Sequence, residues 1–163
     1  NPASVQGDAQ FADVLKKMGC KVHKSNDSLN LKGNALSGIK INMNNMPDAV
    51  QTLAVVALFA KGETVIEGIG NLKIKETNRI EALANELGRL GAEVKTGEDF
   101  IVVHPREYSG AEIETYNDHR MAMSFAPLCL TFGELQINNP EVVSKSYLNF
   151  WEDLKKGGFK ISF

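Results

Sequence analysis

The sequence predicts an α/β fold in which repeated βαβαββ units pack with their helices inward and their sheets outside. Three stretches share one pattern, in which a leucine and mostly polar residues lead to a glycine and then to a β-branched residue; they are LKKMGCKV (15–22), LGRLGAEV (87–94) and LKKGGFKI (154–161). Each glycine follows an amphipathic segment, and glycine adopts the left-handed conformation of a helix end at little cost. We therefore expect each stretch to be a helix end followed by a strand.

A second pattern repeats between these stretches, in AVVALFAKGETVIEGI (54–69) and AMSFAPLCLTFGELQINN (122–139). Its glycines, Gly62 and Gly133, are 71 residues apart, and Gly19 and Gly91 of the first pattern are 72 residues apart. Two independent spacings that agree this closely indicate a structural repeat. One unit consists of a strand, an apolar helix, a strand, an amphipathic helix and a two-stranded hairpin. The chain begins inside one unit, contains one complete unit and ends in a third as its hairpin begins.

The apolar helix of the complete unit is predicted over residues 47–61, with Pro47 at its first position, Asp48 in its first turn and Gly62 at its end. It is apolar nearly all round, so we expect it to be buried. The matching helix, residues 118–131, contains Pro127, which should kink it or end it early.

The amphipathic helix is predicted from apolar residues at helical spacing up to a stop at Gly91; these are Ile80, Leu83, Leu87 and Leu90. Cations crowd its expected first turn, namely Lys73, Lys75 and Arg79. Each opposes the helix dipole at a cost of about 0.3–1 kcal/mol, which suggests that a negative charge is expected between them. The hairpins are predicted over residues 20–33 and 92–105, and their His23 and His104 have no predicted role.

Composition limits the partners that we expect. The net charge is −2 and the isoelectric point is near 6.0, which gives no sign of a nucleic-acid or anionic-membrane surface. No apolar run approaches the roughly 20 residues of a membrane span. Two cysteines are too few for a disulfide framework, so a cytoplasmic location is expected. The chain lacks an initiator Met and a signal peptide, and we expect it to be a piece of a longer protein, with residues 1–163 forming a single truncated domain.

The unusual polar residues fall in strand-to-helix connections, which should share one edge of the assembly. When the units are superposed, Asp48 matches Asp118 or His119, and Lys75 matches Lys145 or Ser146. Helix N-termini bind anions, and cations close to several of them would hold a strongly anionic small molecule. The cations in question are Lys75, Arg79, Arg120 and Lys145.

The same edge carries Asp48, Glu76 and Asp118 with His119, carboxylates that can be tuned for proton transfer. This set fits acid–base chemistry on a phosphorylated substrate without a metal. Taken singly, each feature is more often structural: a Lys-Glu-Arg cluster is commonly a solvated ion-pair face, and an early Asp commonly complements the helix dipole. Their coincidence at equivalent places of a repeat favours function. No zinc-binding spacing and no glycine-rich nucleotide loop occurs in the sequence.

Five stretches together resemble the enolpyruvyl transferase family, in the same order and with similar spacing; they are QGDAQFADVLKKMG (6–19), MNNMPDAVQTLAVVALFAKG (43–62), IKETNRIEALANELGRLGAEV (74–94), YNDHRMAMSFA (116–126) and SKSY (144–147). The resemblance implies an inside-out α/β barrel domain. It also implies transfer of the enolpyruvyl group of phosphoenolpyruvate to the 5-hydroxyl of shikimate-3-phosphate, with release of phosphate and with no cofactor.

Carried over by motif, Asp48 resembles the base and Glu76 the acid of this reaction. Asp48, Asn71 and Lys75 would contact shikimate-3-phosphate, and a second set of residues would hold phosphoenolpyruvate: Arg79, Arg120 and Lys145. Asp118 and His119 would support Arg120. The sequence departs from the family at Asn78, where Asp is usual, and at Leu148, where proline is common.

The family's enzymes have two similar domains, so the resemblance implies that an N-terminal domain of the same chain supplies the other half of the active site. We therefore expect the isolated piece to fold without turning over. Two alternatives stay open. One is the sister enzyme that acts on UDP-N-acetylglucosamine with a loop cysteine as acid, which is disfavoured because Cys20 and Cys129 fall on a strand start and an apolar helix. The other is a non-catalytic anion-binding module, for which both Asp48 and Glu76 would be unnecessary.

Overall fold

A computed structural model describes residues 7–110 and 112–163. These residues form two compact units, one that ends at Ser109 and one that runs from Gly110 to Phe163. The elements of the first unit are, in chain order, α1 (Phe11–Lys17), β1 (Lys21–Lys24), β2 (Leu29–Lys32), β3 (Leu36–Ser37), β4 (Lys40–Asn42), α2 (Val50–Ala57), β5 (Ala60–Lys61), β6 (Thr64–Glu67), α3 (Arg79–Arg89), β7 (Glu93–Thr96) and β8 (Phe100–His104). Short 3-10 helices span Gly7–Gln10, Pro47–Ala49 and Gly70–Ile74.

The second unit contains β9 (Glu112–Ile113), α4 (His119–Phe125), α5 (Cys129–Phe132), β10 (Gln136–Ile137) and α6 (Phe150–Lys156), with 3-10 helices at Ala126–Leu128 and Pro140–Lys145. Its two short strands pair in parallel. The α/β class is confirmed in both units.

The complete βαβαββ unit is present as predicted, running from β4 to β8. Its sheet has the strand order β4-β6-β8-β7, with β4 and β6 parallel and the other neighbours antiparallel. Ile66 lies opposite Ile101 and both are fully buried, whereas Val65 and Val102 on the other face are only half-buried. Helices α2 and α3 pack against this sheet and against each other. The alternation of side chains along the strands therefore directs one face to the helices.

Helix α2 is buried as its composition predicted, but it is shorter than the predicted 47–61. Pro47 opens a 3-10 turn, α2 ends at Ala57, and Ala60 pairs with Leu36 as part of a short parallel strand pair. Gly62 therefore lies in the turn between β5 and β6, with φ +88°, and does not end the helix. The boundary was misplaced because an apolar run does not by itself distinguish a helix from a buried strand.

The remaining boundaries follow local chemistry. Pro127 ends α4, which gives way to a 3-10 turn, as predicted. Gly19, Gly91 and Gly158 follow α1, α3 and α6 with φ of +119°, +102° and +98°, which confirms their predicted place at helix ends. The strand predicted after Gly158 is not formed, because a strand exists only by pairing and no described strand pairs with residues 159–163. Among the described residues, no helix has the length and apolar character to cross a membrane.

Candidate active site

The first unit builds a cluster around Arg79, the first residue of α3. Asn78 caps this helix, since its side-chain oxygen accepts a hydrogen bond from Glu81 N. The Arg79 side chain is only 1% exposed, and its guanidinium donates to Glu76 Oε2 at 2.8 Å and to Asp48 Oδ1 at 3.4 Å. Asp48 comes from the 3-10 turn before α2, 31 residues away in the chain. Three of the residues predicted for the site therefore meet in the structure.

The chemistry of this cluster follows from its charges. A buried guanidinium is tolerated only when it is paired, and its planar fork can bind two carboxylates at once. The carboxylates themselves stay accessible, because the side chains of Asp48 and Glu76 are 39% and 24% exposed. The cluster thus presents two carboxylates around one fixed cation, an arrangement in which one group can accept a proton while the other donates one.

Asn71 and Lys75 lie on the exposed segment that leads into this cluster. Asn71 belongs to the 3-10 helix Gly70–Ile74, and Lys75 follows it with an extended backbone. Within residues 7–110 and 112–163, no ion pair joins Lys75 to a carboxylate. Lys73, by contrast, forms an ion pair with Glu98 at 2.7 Å.

The prediction that three cations lie in the first turn of the amphipathic helix is wrong for two of them. Because α3 begins at Arg79, Lys73 and Lys75 precede the helix and oppose its dipole less than the sequence suggested. Lys73 is compensated by Glu98, and Arg79 by Asp48 and Glu76. Of these three cations, Lys75 alone has no ion pair with a carboxylate among the described residues.

The second unit carries the other predicted residues. Asp118 is fully buried at the N-terminal cap of α4, where its Oδ1 accepts a hydrogen bond from Arg120 N at 2.8 Å. His119 is buried, with its Nδ1 3.8 Å from Asp118 Oδ1. Arg120 is half-buried, and Lys145 is exposed at the end of the 3-10 helix Pro140–Lys145, which packs against α4. Asp118 thus fixes the first turn of α4 through the backbone N–H of Arg120.

Sequence reasoning missed two features that hold the backbone next to predicted site residues, one in each unit. Tyr116 and Asn117 both have left-handed backbones, with φ of 52° and 57°, directly before Asp118. Such conformations are uncommon in tyrosine, although asparagine tolerates them, and the Asn-Asp pair was the only signal of the turn. The second support is Asp99, whose Oδ1 accepts a hydrogen bond from Gly70 N at the start of the 3-10 helix before Lys75. Only the Gly97 turn before it was visible in the sequence.

The cysteines lie where the sequence placed them. Cys20 is buried immediately before β1, and Cys129 begins α5 and is half-buried. Neither is the exposed loop thiol that the sugar-nucleotide alternative would use as an acid.

Comparison with known proteins gives a consistent family. The family model described as EPSP synthase (3-phosphoshikimate 1-carboxyvinyltransferase) matches residues 1–154. The 3-phosphoshikimate 1-carboxyvinyltransferase of Hamiltonella defensa is 47% identical over 152 residues, which is 93% of this chain and 36% of that relative. The enzyme of the same name from Mannheimia haemolytica is 47% identical over 156 residues, again 36% of its length. The chain thus spans about a third of these relatives.

Solved structures agree with this. The EPSP synthase from Acinetobacter baumannii superposes with a TM-score of 0.79 at 29% identity, over 96% of this chain and 39% of that one. The enolpyruvyl transferase NikO from Streptomyces tendae shares the fold, with a TM-score of 0.72 at 21% identity, over 95% of this chain and 36% of its own. The enolpyruvyl transferase fold expected from the motifs is confirmed, and the chain belongs to the EPSP synthase (3-phosphoshikimate 1-carboxyvinyltransferase) family.

Proposed function

We propose that this protein takes part in transferring the enolpyruvyl group of phosphoenolpyruvate to the 5-hydroxyl of shikimate-3-phosphate, with release of phosphate. The observation that carries the proposal is the pairing of Arg79 with both Asp48 and Glu76. The names of the relatives, 3-phosphoshikimate 1-carboxyvinyltransferase, support it. Because the chain covers only part of the length of these relatives, we also propose that a partner domain of the same protein supplies the remaining contacts to the substrates.

In the proposed mechanism, addition is followed by elimination. Asp48 takes the proton of the 5-hydroxyl, and the hydroxyl oxygen forms a bond to C2 of phosphoenolpyruvate. At the same time, Glu76 gives a proton to the methylene carbon. Protonation of the double bond places cationic character on C2, which a nearby carboxylate stabilises. In the elimination, the Glu76 carboxylate takes a proton back from the new methyl group as the bond from C2 to the phosphate oxygen breaks, so the enolpyruvyl double bond is restored and phosphate leaves.

The cations have the complementary role. Arg79, Arg120 and Lys145 are proposed to hold phosphoenolpyruvate, and Asn71 and Lys75 are proposed to hold shikimate-3-phosphate together with Asp48. Positive charge close to the leaving phosphate stabilises the charge that develops on it. Asp118 and His119 are proposed to orient Arg120.

Ligand binding by this chain tests the proposal directly. Titration with phosphoenolpyruvate and shikimate-3-phosphate, followed by NMR, should shift the signals of Lys75, Arg120 and Lys145. Lys75→Gln should weaken binding of shikimate-3-phosphate, whereas Lys17→Gln, at the exposed end of α1, should leave it unchanged. NMR shifts spread over lysines and arginines elsewhere in the chain, together with equal weakening of shikimate-3-phosphate binding by both variants, would refute a specific site.

Turnover separates catalysis from a non-catalytic anion-binding role. In an enzyme of the relatives' full length that contains this chain, Glu76→Gln should reduce kcat by about 100-fold or more with a small change in ligand affinity, because a general acid acts in the transition state. Glu134→Gln, in an exposed turn, is the matched control and should be neutral. Equal losses of binding and turnover in Glu76→Gln would favour the binding module instead.

A further inference from the structure

The turn between β7 and β8 holds the start of a segment, residues 69–76, that carries two of the residues proposed to bind shikimate-3-phosphate, Asn71 and Lys75. It is here called the ligand segment. Ile69 N donates to the main-chain oxygen of Asp99 at 3.3 Å, and Gly70 N donates to Asp99 Oδ1 at 2.5 Å. Two successive amides of the ligand segment therefore end on one residue of the turn. Bonds from an amide to a carboxylate are among the stronger hydrogen bonds in proteins.

The approach of the two backbones is close. A Cβ atom at Gly70 would lie 3.1 Å from Asp99 Oδ1 and 3.3 Å from the main-chain oxygen of Glu98. A side chain at position 70 would therefore crowd Asp99 and the main chain of Glu98, and glycine favours the contact between Asp99 and the amide.

The ligand segment is fixed at three points. Asp99 holds its start, Leu72 is fully buried in its middle, and Glu76 pairs with Arg79 at its end. Asn71 and Lys75 lie between these points and are exposed. Their backbone positions are therefore set by contacts that neither residue makes itself.

We propose that Asp99 is a positioning residue for the shikimate-3-phosphate site, acting through the ligand segment that it anchors. The inference rests on the proposed function, because the roles of Asn71 and Lys75 come from it. Small errors in the position of binding groups cost much of their effect, since each polar contact depends on distance and direction.

A second contact of the same turn provides an internal comparison. Glu98 pairs with Lys73 at 2.7 Å, but the Glu98 side chain is 97% exposed. An ion pair so open to water contributes little. Asp99 is exposed as well, but its carboxylate accepts a hydrogen bond from a main-chain amide of the ligand segment, whereas Glu98 reaches only the end of a lysine side chain. Of the two neighbouring acidic residues, Asp99 is therefore the one that holds the backbone of the segment.

Amide hydrogen exchange and ligand titration of this chain test the proposal. In Asp99→Ala, exchange at Gly70 should accelerate by roughly tenfold or more, because a charge-assisted bond is lost. Binding of shikimate-3-phosphate should weaken by about tenfold, while binding of phosphoenolpyruvate should change by less than about twofold. Asp99→Asn keeps an acceptor oxygen and should restore most of the affinity, and Glu98→Gln should match the unsubstituted chain.

Gly70→Ala provides an independent perturbation of the same contact, because its methyl group would lie 3.1 Å from Asp99 Oδ1 and Asp99 must shift slightly to accommodate it. It should weaken shikimate-3-phosphate binding selectively, but less than Asp99→Ala. Unchanged exchange at Gly70 in Asp99→Ala, or equal weakening of both ligands, would overturn the role of Asp99. Absence of shikimate-3-phosphate binding and of turnover in an unsubstituted enzyme of the relatives' full length that contains this chain would instead refute the proposed function.

Discussion

At the scale of single residues, Arg79 is the feature that organises the first unit's site. It is the first residue of an amphipathic helix, a position that usually faces water, yet it is as buried as the core leucines. Its charge is offset by Asp48 and Glu76, which reach it from two different segments. The cluster therefore has a structural task as well as a proposed chemical one, and the two can be separated by substitution.

Arg79→Lys keeps the positive charge but replaces a planar fork with a single ammonium group, which cannot bind both carboxylates in the same geometry. We expect the free energy of unfolding to fall by about 1–2 kcal/mol, less than for a fully buried pair because both carboxylates are partly exposed. Urea denaturation measures this. Arg106→Lys is the matched control, because the side chain of Arg106, which pairs with Glu93, is 57% exposed, and it should leave the urea midpoint unchanged.

At the scale of elements, one glycine inside α3 and one just beyond its end should respond oppositely to the same substitution. Gly91 follows the helix with φ +102°, and a Cβ atom there would lie 2.5 Å from the main-chain oxygen of Glu107. Gly88 is exposed inside the helix with open space around it. Gly91→Ala should therefore destabilise the chain by about 1–2 kcal/mol or more, and Gly88→Ala should stabilise it by about 0.5–1 kcal/mol. Urea denaturation of the two variants compares them, and destabilisation of similar size would show that helix propensity does not act here.

Helix α6 carries a titrating group with a predicted pH response. The hydrogen bond from Lys156 Nζ, at 2.7 Å, and a second one from the Tyr147 hydroxyl, at 2.9 Å, hold the pKa of Asp153 below its ordinary value of 3.8. The stability that these contacts contribute is present above the ordinary pKa and is lost as the pH falls through the lowered one.

Lys156→Gln should raise the pKa of Asp153 towards the ordinary value, because the hydrogen bond from the Lys156 ammonium group lowers this pKa more than any other contact. An NMR titration of the Asp153 carboxyl carbon measures it. Lys160→Gln, an exposed lysine beyond α6, should leave the titration unchanged. An Asp153 titration that is the same in all three chains would show that the contact with Lys156 is not maintained in solution.

At the scale of the whole molecule, periodicity predicted most of the fold and little of the geometry of the site. The two spacings near 71 and 72 residues identified the βαβαββ unit, and Gly19, Gly91 and Gly158 marked helix ends correctly, because these signals are local. The predicted end of the apolar helix at residue 61 was wrong because the pairing of Ala60 with Leu36 is a tertiary contact. The pairing of Arg79 with Asp48 and the contact of Asp99 with Gly70 join residues about 30 positions apart, which no local pattern reveals.

The chain's share of its relatives gives a prediction at the same scale. It spans 36% of the curated relatives' length, and the proposed reaction needs contacts to two substrates. We expect this chain alone to release no phosphate from phosphoenolpyruvate and shikimate-3-phosphate above the uncatalysed rate, in a coupled phosphate assay. Turnover comparable to that of a full-length relative would contradict this.

The distance along the chain between Asp48 and Arg79 has a thermodynamic consequence. Because the polypeptide must be folded before these two groups and Glu76 come together, a ligand that contacts all three has no counterpart to bind in the denatured ensemble. By mass action such a ligand raises the melting temperature in proportion to the logarithm of its concentration once the site is saturated. A thermal scan over a series of small hydroxylated molecules, whose hydroxyl groups can donate to the two carboxylates, would thus rank candidate ligands.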